Sequence, residues 1–326
     1  MLRAMVLFAV ALIAAQPGVA QEPSAGFPSR PITVIVPFPA GGITDIVARI
    51  VGERMATSLD RPLIVENIGG AGGTIGVGRL FRSTPDGHTL VVGQWTSHVG
   101  AGAMFPLQFD LLADFEPISV LSTGAFWIIG RKDLPARDLA ELIAWLKANP
   151  GKATGGTGGA GSGFHMCMLY FQNMTGTQFS FVPYRGAAPI MQDLVAGQID
   201  LTCPEAGQTL AHYRAGSIKA YGVLTRQRWF AAPEVPTIEE AGVPGLEFPF
   251  WHGLWAPKGT PGDVIAKINA AVVVALADPA VRRRLEELGH EVAPRAQQSP
   301  AGLHAVHKAD IEKWWPIIKA ANVKAQ

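Results

Sequence analysis

The amino-acid sequence predicts an α/β protein of two lobes, in which strands alternate with helices and two strands join the lobes. The β-branched run Ile32–Val36 comes first, and apolar residues at helical spacing follow it across residues 43–55. A second series of strand and helix patterns starts near residue 126, and three helical patterns close the chain. Strands and helices that alternate in this way are typical of mostly parallel sheets covered by helices.

The first strand is followed by a turn that leaves backbone N–H groups uncovered. Pro37 and Pro39 end the strand, and Gly41 and Gly42 remove side chains where the helix begins. Unpaired N–H groups at the positive end of a helix dipole form an anion site without any cationic side chain. An ordinary turn between strand and helix is the alternative, and residues 31–55 alone do not decide between the two.

The same plan repeats twice in the first lobe. Residues 63–65 predict a second strand, and the Gly-rich loop 67–73 leads into a short helix. Residues 88–93 predict a third strand, and residues 94–98 form the loop after it. Ligands of such sheets lie beyond the carboxyl ends of the strands, so we expect the three loops to meet at one site.

The second lobe repeats this series after a crossing at residues 122–124. Its strand patterns are followed by loops at residues 154–163, which contain six glycines, at 184–189 and at 203–205. Thr237 and Glu240 have capping-box spacing within a Pro-rich segment, which predicts a short helix there.

Residues 251–255 predict a strand that returns to the first lobe, and three helices follow it. Start signals at Thr260, Asp278 and Ser299 predict these helices at residues 263–276, 278–288 and 300–320. We expect them to pack on the first lobe, whose sheet otherwise has too few helices to cover it. The predicted first lobe is therefore residues 27–123 with 250–326, and the second is residues 124–249.

The amino terminus has the layout of a cleaved secretory signal. Residues 1–20 carry Arg3, an apolar run and a small-residue site that predicts cleavage after Ala20. The absence of a cysteine near that point argues against a lipid anchor. With 27 basic and 26 acidic residues, no bulk charge attracts nucleic acid. Cys167 and Cys203 either pair after export or remain as buried thiols.

Two cofactor interpretations fail on residue spacing. Residues 156–161 satisfy G-x-G-x-x-G, but the preceding strand is short and Asp193 is too distant to hold a ribose. The eight histidines and two cysteines show no metal-ligand spacing. We therefore predict no metal and no cofactor.

A hydrolase would need a nucleophile, a base and a residue that orients the base. The candidates are Ser97 or Ser162, His98 or His165, and Asp45 or Glu205. Ala160 stands two residues before Ser162, so the nucleophile-elbow pattern G-x-S-x-G is not met. The same polar groups suit neutral hydrogen bonding to a bound anion, and we predict that the protein is not an enzyme.

Other side chains beside the expected site have two interpretations each. Arg185 follows a strand and either grips a carboxylate with its guanidinium or lies on the surface. Asp45, in the first helical turn, either satisfies local N–H groups or holds a ligand donor or water. Three tryptophans in predicted loop or crossing regions either wall the cleft or belong to the core: Trp95, Trp127 and Trp251.

At this point the sequence resembles the solute-binding proteins of tripartite tricarboxylate transporters, the Bug family. The resemblance covers essentially the whole mature chain and rests on the order of several short motifs. These are Phe-Pro-Ser-Arg-Pro-Ile at 27–32, Val-Pro-Phe-Pro-Ala-Gly-Gly at 36–42 with Asp45, Val-Glu-Asn at 65–67 with residues 70–73, Pro-Asp-Gly at 85–87, Val-Pro-Tyr-Arg-Gly at 182–186, Ala-Gly-Gln-Ile-Asp at 196–200, residues 233–237 with 240–242, and Ala-Pro-Lys-Gly-Thr-Pro at 256–261.

The resemblance implies a type II periplasmic-binding-protein fold whose lobes close over a small organic carboxylate. It also implies a periplasmic location and membrane-embedded transporter subunits as partners, and we expect a monomer. An exported ligand-sensing subunit is the alternative. The ligand-binding residues expected from the residues and the resemblance together are Phe38, Pro39, Ala40, Gly41, Gly42, Asp45, Thr96, Ser97, His98, Gly161, Ser162, His165, Tyr184, Arg185, Gly186, Ala187 and Glu205.

Two departures from the family pattern bear on specificity. The second-lobe loop before Ser162 is Gly-rich where the family is usually Ser-rich, and Cys203-Pro204-Glu205 replaces the usual Phe-Asp-Asn. Loss of that aspartate favours a carboxylate ligand without an ammonium group, with an aromatic acid among the candidates.

Overall fold

The computed structural model describes residues 26–248 and 250–320, so the predicted signal peptide and its cleavage site lie outside the described residues. Two mixed sheets organise the chain. The strands of the first are β1 (Ile32–Val36), β2 (Leu63–Asn67), β3 (Thr89–Gln94), β4 (Phe115–Gly124), β10 (Phe250–Pro257) and β11 (Glu291–Val292). Those of the second are β5 (Trp127–Arg131), β6 (Thr154–Thr157), β7 (Ser180–Pro183), β8 (Leu201–Thr202) and β9 (Ile218–Val223).

Helices fill the connections between these strands. They are α1 (Ile43–Leu59), α2 (Thr74–Phe81), α3 (Ala101–Met104), α4 (Leu139–Ala148), α5 (Gly163–Thr175), α6 (Ala187–Val195), α7 (Leu210–Arg214), α8 (Gly262–Ala277), α9 (Pro279–Glu287) and α10 (Pro300–Ala320). The predicted α/β class is confirmed, and one sheet is formed by strands within residues 32–124 and 250–292 and the other by strands within residues 127–223.

The strand order shows how the chain passes between the sheets. The first sheet runs β11-β4-β10-β3-β1-β2 and the second β7-β6-β8-β5-β9. β4 leads out of the first sheet, and β10 returns beside it with Phe250 opposite Gly124. Because β10 enters from the end where β4 leaves, it runs antiparallel to both β3 and β4. The predicted parallel arrangement holds for β1, β2 and β3 and for β6, β7 and β8. In contrast, β11 is antiparallel to β4, and β5 is antiparallel to both β8 and β9.

The C-terminal helices pack on the first sheet, as expected. α8 lies against α1 and β4, and α10 against β4 and the segment after β3. The side chain of Asp278 caps α9, and Ser299 accepts a hydrogen bond from the Gly302 amide at the start of α10. We propose that each sheet is the centre of one lobe, divided as the sequence predicts at residues 123–124 and 249–250.

Two local predictions are wrong. The segment after β3, predicted as a loop, is a π-helical turn from Thr96 to Gly100 that continues into α3, because its residues are buried and need internal backbone pairing. The Pro-rich segment contains turns and no helix within residues 233–248. Thr237 and Glu240 nevertheless exchange both hydrogen bonds of a capping box, which here stabilises a turn.

Cys167 and Cys203 form a disulfide, which settles the alternative that the sequence left open. Their Cα atoms are 6.1 Å apart, and both side chains are fully buried. The bond ties α5 to the segment that follows β8. Both of these elements contribute residues to the cleft described below.

Within the described ranges, no individual helix has both the length and the apolar composition to cross a bilayer. α8 and α9 satisfy those two criteria only when taken together, across a bend of 71°.

Candidate ligand-binding cleft

A cavity of about 520 Å³ lies between the two sheets, within the usual size range of small-molecule sites. We call it the cleft. Its lining comes from both sheets and from the crossing segments: Phe38, Pro39, Gly42, Ile43, Thr44, Gln94 and Thr96 on one side, Gly158, Ser162, Gly163, Phe164, Arg185, Gly186, Ala187, Glu205 and Gln208 on the other, and Phe126 and Phe250 at the crossings.

Three helix N-termini meet at the cleft. α1 begins after Gly42 and α6 after Gly186, and neither has a side-chain cap. α5 begins after Ser162, whose Oγ accepts a hydrogen bond from the His165 amide. Glycine at two of these positions leaves the first-turn N–H groups open to the cleft. The cleft therefore receives positive helix-dipole ends from both lobes.

Asp45 stabilises the conformation of the first-lobe loop, residues 38–42. Its carboxylate accepts hydrogen bonds from the Gly41 amide, Arg49 and Asn67 at 2.9–3.0 Å. Burial alone would raise the pKa of Asp45, but the hydrogen bonds from Arg49, Gly41 and Asn67 outweigh burial and hold the pKa below its usual value. Asn67 also donates to the Phe38 carbonyl. Asp45 thus braces the loop and does not line the cleft.

The aromatic walls of the cleft are phenylalanines. Phe38 and Phe164 line its two sides, and Phe126 packs edge-on against Phe250 with ring centroids 5.1 Å apart. The tryptophans considered from the sequence are core residues, at most 2% exposed, because the segments that carry them are a buried helical turn and two sheet strands. These tryptophans are Trp95, Trp127 and Trp251.

The structure brings nine of the sequence-predicted residues to the cleft: Phe38, Pro39, Gly42, Thr96, Ser162, Arg185, Gly186, Ala187 and Glu205. Their contact with a ligand stays a prediction. The other eight do not line the cleft: Ala40, Gly41, Asp45, Ser97, His98, Gly161, His165 and Tyr184.

Ser97 and His98 face the core because the segment that carries them is helical. Ser97 Oγ donates to the Gln94 carbonyl, and the His98 ring stacks on Trp255 at 3.8 Å. Burial, with a smaller contribution from His307, places the pKa of His98 well below its usual value. His98 is therefore a neutral core ring.

On the second lobe, the side chains of His165 and Tyr184 form hydrogen bonds with residues near them in the sequence. His165 Nδ1 accepts a hydrogen bond from the Gly161 amide, and burial lowers the pKa of His165. The Tyr184 hydroxyl donates to Asp193 at 2.6 Å, and burial together with this bond raises the pKa of Tyr184 to about 12. Gly161 has a φ of +75° and lies so close to Met104 of the first lobe that a Cβ there would be 2.7 Å from its sulfur.

Arg185 and Glu205 are the charged residues of the lining, and they differ in availability. Arg185 is exposed, and no described residue forms a hydrogen bond or ion pair with it. Glu205 is 1% exposed, and its carboxylate lies against His290, with Oε1 3.0 Å from Nε2. Arg185 can therefore reach an anion directly, whereas the Glu205 carboxylate is turned into the protein.

Sequence reasoning missed half of the lining: Ile43, Thr44, Gln94, Phe126, Gly158, Gly163, Phe164, Gln208 and Phe250. Some had a usable signal. Ile43 and Thr44 are early residues of a predicted helix, and Gly163 and Phe164 lie where a predicted glycine-rich loop leads into a helix. Gln94 ends a parallel strand, which is where ligands of such sheets bind. For Gln208 the sequence carries no such signal.

No cluster of three or more metal-ligating side chains occurs in the described part of the chain. The cleft instead offers neutral hydrogen-bond donors, the guanidinium of Arg185 and apolar walls, and this combination suits reversible binding of an anion.

Comparison with known proteins agrees with this chemistry. Residues 47–323 match the sequence profile of a family described as "Tripartite tricarboxylate transporter family receptor". The UPF0065 protein in the TAR-I ttuE-ttuC' intergenic region of Agrobacterium vitis is 37% identical over 310 residues, covering 94% of this chain and 88% of that protein.

Two solved structures share the fold over nearly the full length. The periplasmic binding protein BugD is 36% identical with a TM-score of 0.82, over 92% of this chain and 100% of that one. MatC from Rhodopseudomonas palustris, solved with bound malate, is 37% identical with a TM-score of 0.81, over 90% of this chain and 100% of that one.

Proposed function

Because the chain belongs to the tripartite tricarboxylate transporter receptor family, a family of binding proteins and not of enzymes, we propose that it captures a small organic carboxylate in the periplasm and delivers it to the membrane subunits of such a transporter. The observation that carries the proposal is the convergence of three helix N-termini, from two lobes, on one cleft. No single lobe presents all of these donors.

The carboxylate is held between the first-lobe loop at Gly42 and the second-lobe helix starts at Ser162 and Gly186. Charge-assisted hydrogen bonds to backbone N–H groups stabilise an anion without any group of shifted pKa. Donors from both lobes reach the ligand together only when the lobes close, so ligand binding favours the closed form by its differential affinity. A total of about 8 kcal/mol would correspond to micromolar affinity.

The rest of the cleft indicates a ligand with an apolar body and a second anionic group. The Phe38, Phe126, Phe164 and Phe250 rings offer apolar contact, and Arg185 offers a guanidinium for a second carboxylate. The lining presents no accessible carboxylate for an ammonium group, since that of Glu205 is buried. Malate, bound by the related MatC, has two carboxylates and no ammonium.

Native mass spectrometry of the protein as purified tests the proposal by detecting a retained small acid. A thermal-shift panel of malate, adipate, benzoate, glutamate and glucose then identifies the class. We expect the acids without ammonium to raise the melting temperature and glucose to leave it unchanged. Stabilisation by glutamate alone would refute the choice of ligand class, and no stabilisation by any acid would refute carboxylate binding.

A further inference from the structure

Five buried polar side chains form a chain that connects the two sides of the cleft through the crossing strands. They are Glu205 after β8, His290 before β11, Ser122 on β4, His252 on β10 and Thr44 at the start of α1, each at most 2% exposed. Glu205 and Thr44, the two ends, both line the cleft. The three residues between them do not.

The contacts along this chain are continuous. From Glu205, Oε1 is 3.0 Å from Nε2 of His290, and Nδ1 of His290 is 3.4 Å from the Ser122 hydroxyl. That hydroxyl is 3.3 Å from Nδ1 of His252. Nε2 of His252 is 3.2 Å from the Thr44 hydroxyl. Each hydroxyl has one hydrogen to donate, so the direction of the bonds depends on the protons of the two rings.

The buried Glu205 carboxylate determines which nitrogen of His290 carries a hydrogen. The Glu205 oxygens accept no hydrogen bond from any described residue, and Nε2 of His290 is the polar atom that faces them. An unprotonated Nε2 would set its lone pair 3.0 Å from a negative oxygen. Whenever Glu205 is ionised, Nε2 of His290 therefore carries hydrogen, although the contact is not aligned as a hydrogen bond, and the state of Nδ1 is then the one that can change.

When Nδ1 of His290 is unprotonated, the bonds run toward Glu205. Ser122 donates to His290, His252 donates to Ser122 through Nδ1, and Thr44 donates to Nε2 of His252. The Thr44 hydroxyl then offers only lone pairs to the cleft. This state also leaves the charge of Glu205 buried without a compensating cation, which is costly.

When Nδ1 of His290 is protonated, every bond reverses. His290 donates to Ser122, Ser122 donates to Nδ1 of His252, and His252 donates to Thr44 through Nε2. The Thr44 hydrogen is then free for an acceptor in the cleft. The Glu205 and His290 pair is neutral overall in this state, so the protonated chain is compatible with burial.

We propose that an ionised carboxylate ligand binds when these five hydrogen-bonded side chains hold the additional proton. Glu205, His290, Ser122 and His252 then act as positioning residues that make Thr44 a donor. Carboxylate binding then takes up a proton. The inference rests on the proposed function, since it names a further donor for the same ligand.

We assign this proton to the five hydrogen-bonded side chains and not to the titratable groups around them. Burial, and the neighbouring His290, place the pKa of His252 well below its usual value, so His252 is a neutral relay. Charged groups on the elements packed around the chain are engaged elsewhere or exposed. Asp45 on α1 binds Arg49, Glu116 on β4 pairs with Lys258, Arg284 on α9 pairs with Glu53, and Glu291 on β11 is exposed.

Calorimetry with malate between pH 6 and 9, in buffers of different ionisation enthalpy, measures this proton directly. We expect up to one proton taken up per malate, and a Kd that rises with pH by as much as tenfold per pH unit. Glu205→Gln should bind malate without proton uptake. Thr44→Val should lose about tenfold in affinity and its pH dependence, and Thr44→Ser should retain both.

His304→Gln, at an exposed histidine of α10, is the matched control and should behave as the unaltered protein. Malate binding without proton uptake, or uptake that persists in Glu205→Gln, would overturn the inference while leaving carboxylate binding intact. Spectra of ¹⁵N-labelled histidine need no ligand. We expect His252 to change from the Nε2–H to the Nδ1–H tautomer as pH rises, and one tautomer from pH 5 to 9 would overturn the inference even if no acid binds.

Discussion

The disulfide between Cys167 and Cys203 joins the helix that Ser162 caps to the segment that carries Glu205. One covalent bond therefore holds two parts of the second-lobe lining at a fixed separation. The bond closes a loop whose ends are 36 residues apart, and loops of this length correspond to about 4 kcal/mol of lost unfolded-state entropy.

Replacement of both cysteines by serine should lower the stability by about 2–4 kcal/mol and weaken ligand binding. Thermal melts and calorimetry of the double variant measure the two effects. Treatment of the unaltered protein with a reductant should give the same change and should not affect the double variant. Equal melting temperatures with and without the bond would contradict this prediction.

Gly42→Asp should abolish carboxylate binding while the protein remains folded. Gly42 has a φ of −75°, which any residue adopts, and aspartate is a favourable N-cap. The new carboxylate would occupy the helix end that we assign to the ligand. Gly42→Asn is the matched control, because it offers the same cap without the charge and should lose much less affinity. If Gly42→Asp retained its affinity, this loop would not be part of the site.

Arg185→Gln should weaken binding of a dicarboxylate such as malate about tenfold and leave a monocarboxylate nearly unchanged, because we propose that the guanidinium contacts the second carboxylate. The ratio of the two dissociation constants is the measurement. Arg283→Gln, at an exposed arginine of α9, controls for the change in net charge. An equal loss for both ligands would show that Arg185 does not distinguish the second carboxylate.

Asp310→Asn should stabilise the protein at neutral and alkaline pH. Burial raises the pKa of Asp310 to about 6 from 3.8, despite a hydrogen bond from Trp251 at 2.7 Å. The folded state thus binds the proton more tightly than the unfolded state, and this stability is present below pH 4 and lost as pH rises through 6. Above pH 6 the ionised group costs up to about 3 kcal/mol.

The amide keeps an oxygen for Trp251 and removes the charge, so the gain should appear at pH 8 and vanish near pH 4. Unfolding curves at both pH values measure it, with the exposed Asp133→Asn as control. A gain of the same size at both pH values would show that the charge of Asp310 is not the cause.

The strand and helix periods in the sequence were sufficient to predict most elements, because burial of one face imposes a period on each. The three C-terminal helices and the β1–α1 unit are examples. The apolar faces of α1, α8 and α9 share one buried cluster with most of β1, and that of α10 lies in the other cluster, with Ile35 of β1. The Gly42 end of α1 could be predicted to be an anion site on a separate ground, because glycine pairs after a strand leave a helix start uncovered.

The sequence alone determined the α/β class, the two-part organisation and the helix starts that face the cleft, since these follow from local periodicity and capping. Only the tertiary structure decided which side chains around those starts reach the cleft. Ser97, His98, His165 and Tyr184 lie beside the loops at the cleft, but the hydrogen bonds that they form are within their own lobes or core. Thr44, Phe126 and Phe250 meet there because β10 returns beside β4, a pairing between residues far apart in the chain that local sequence does not encode.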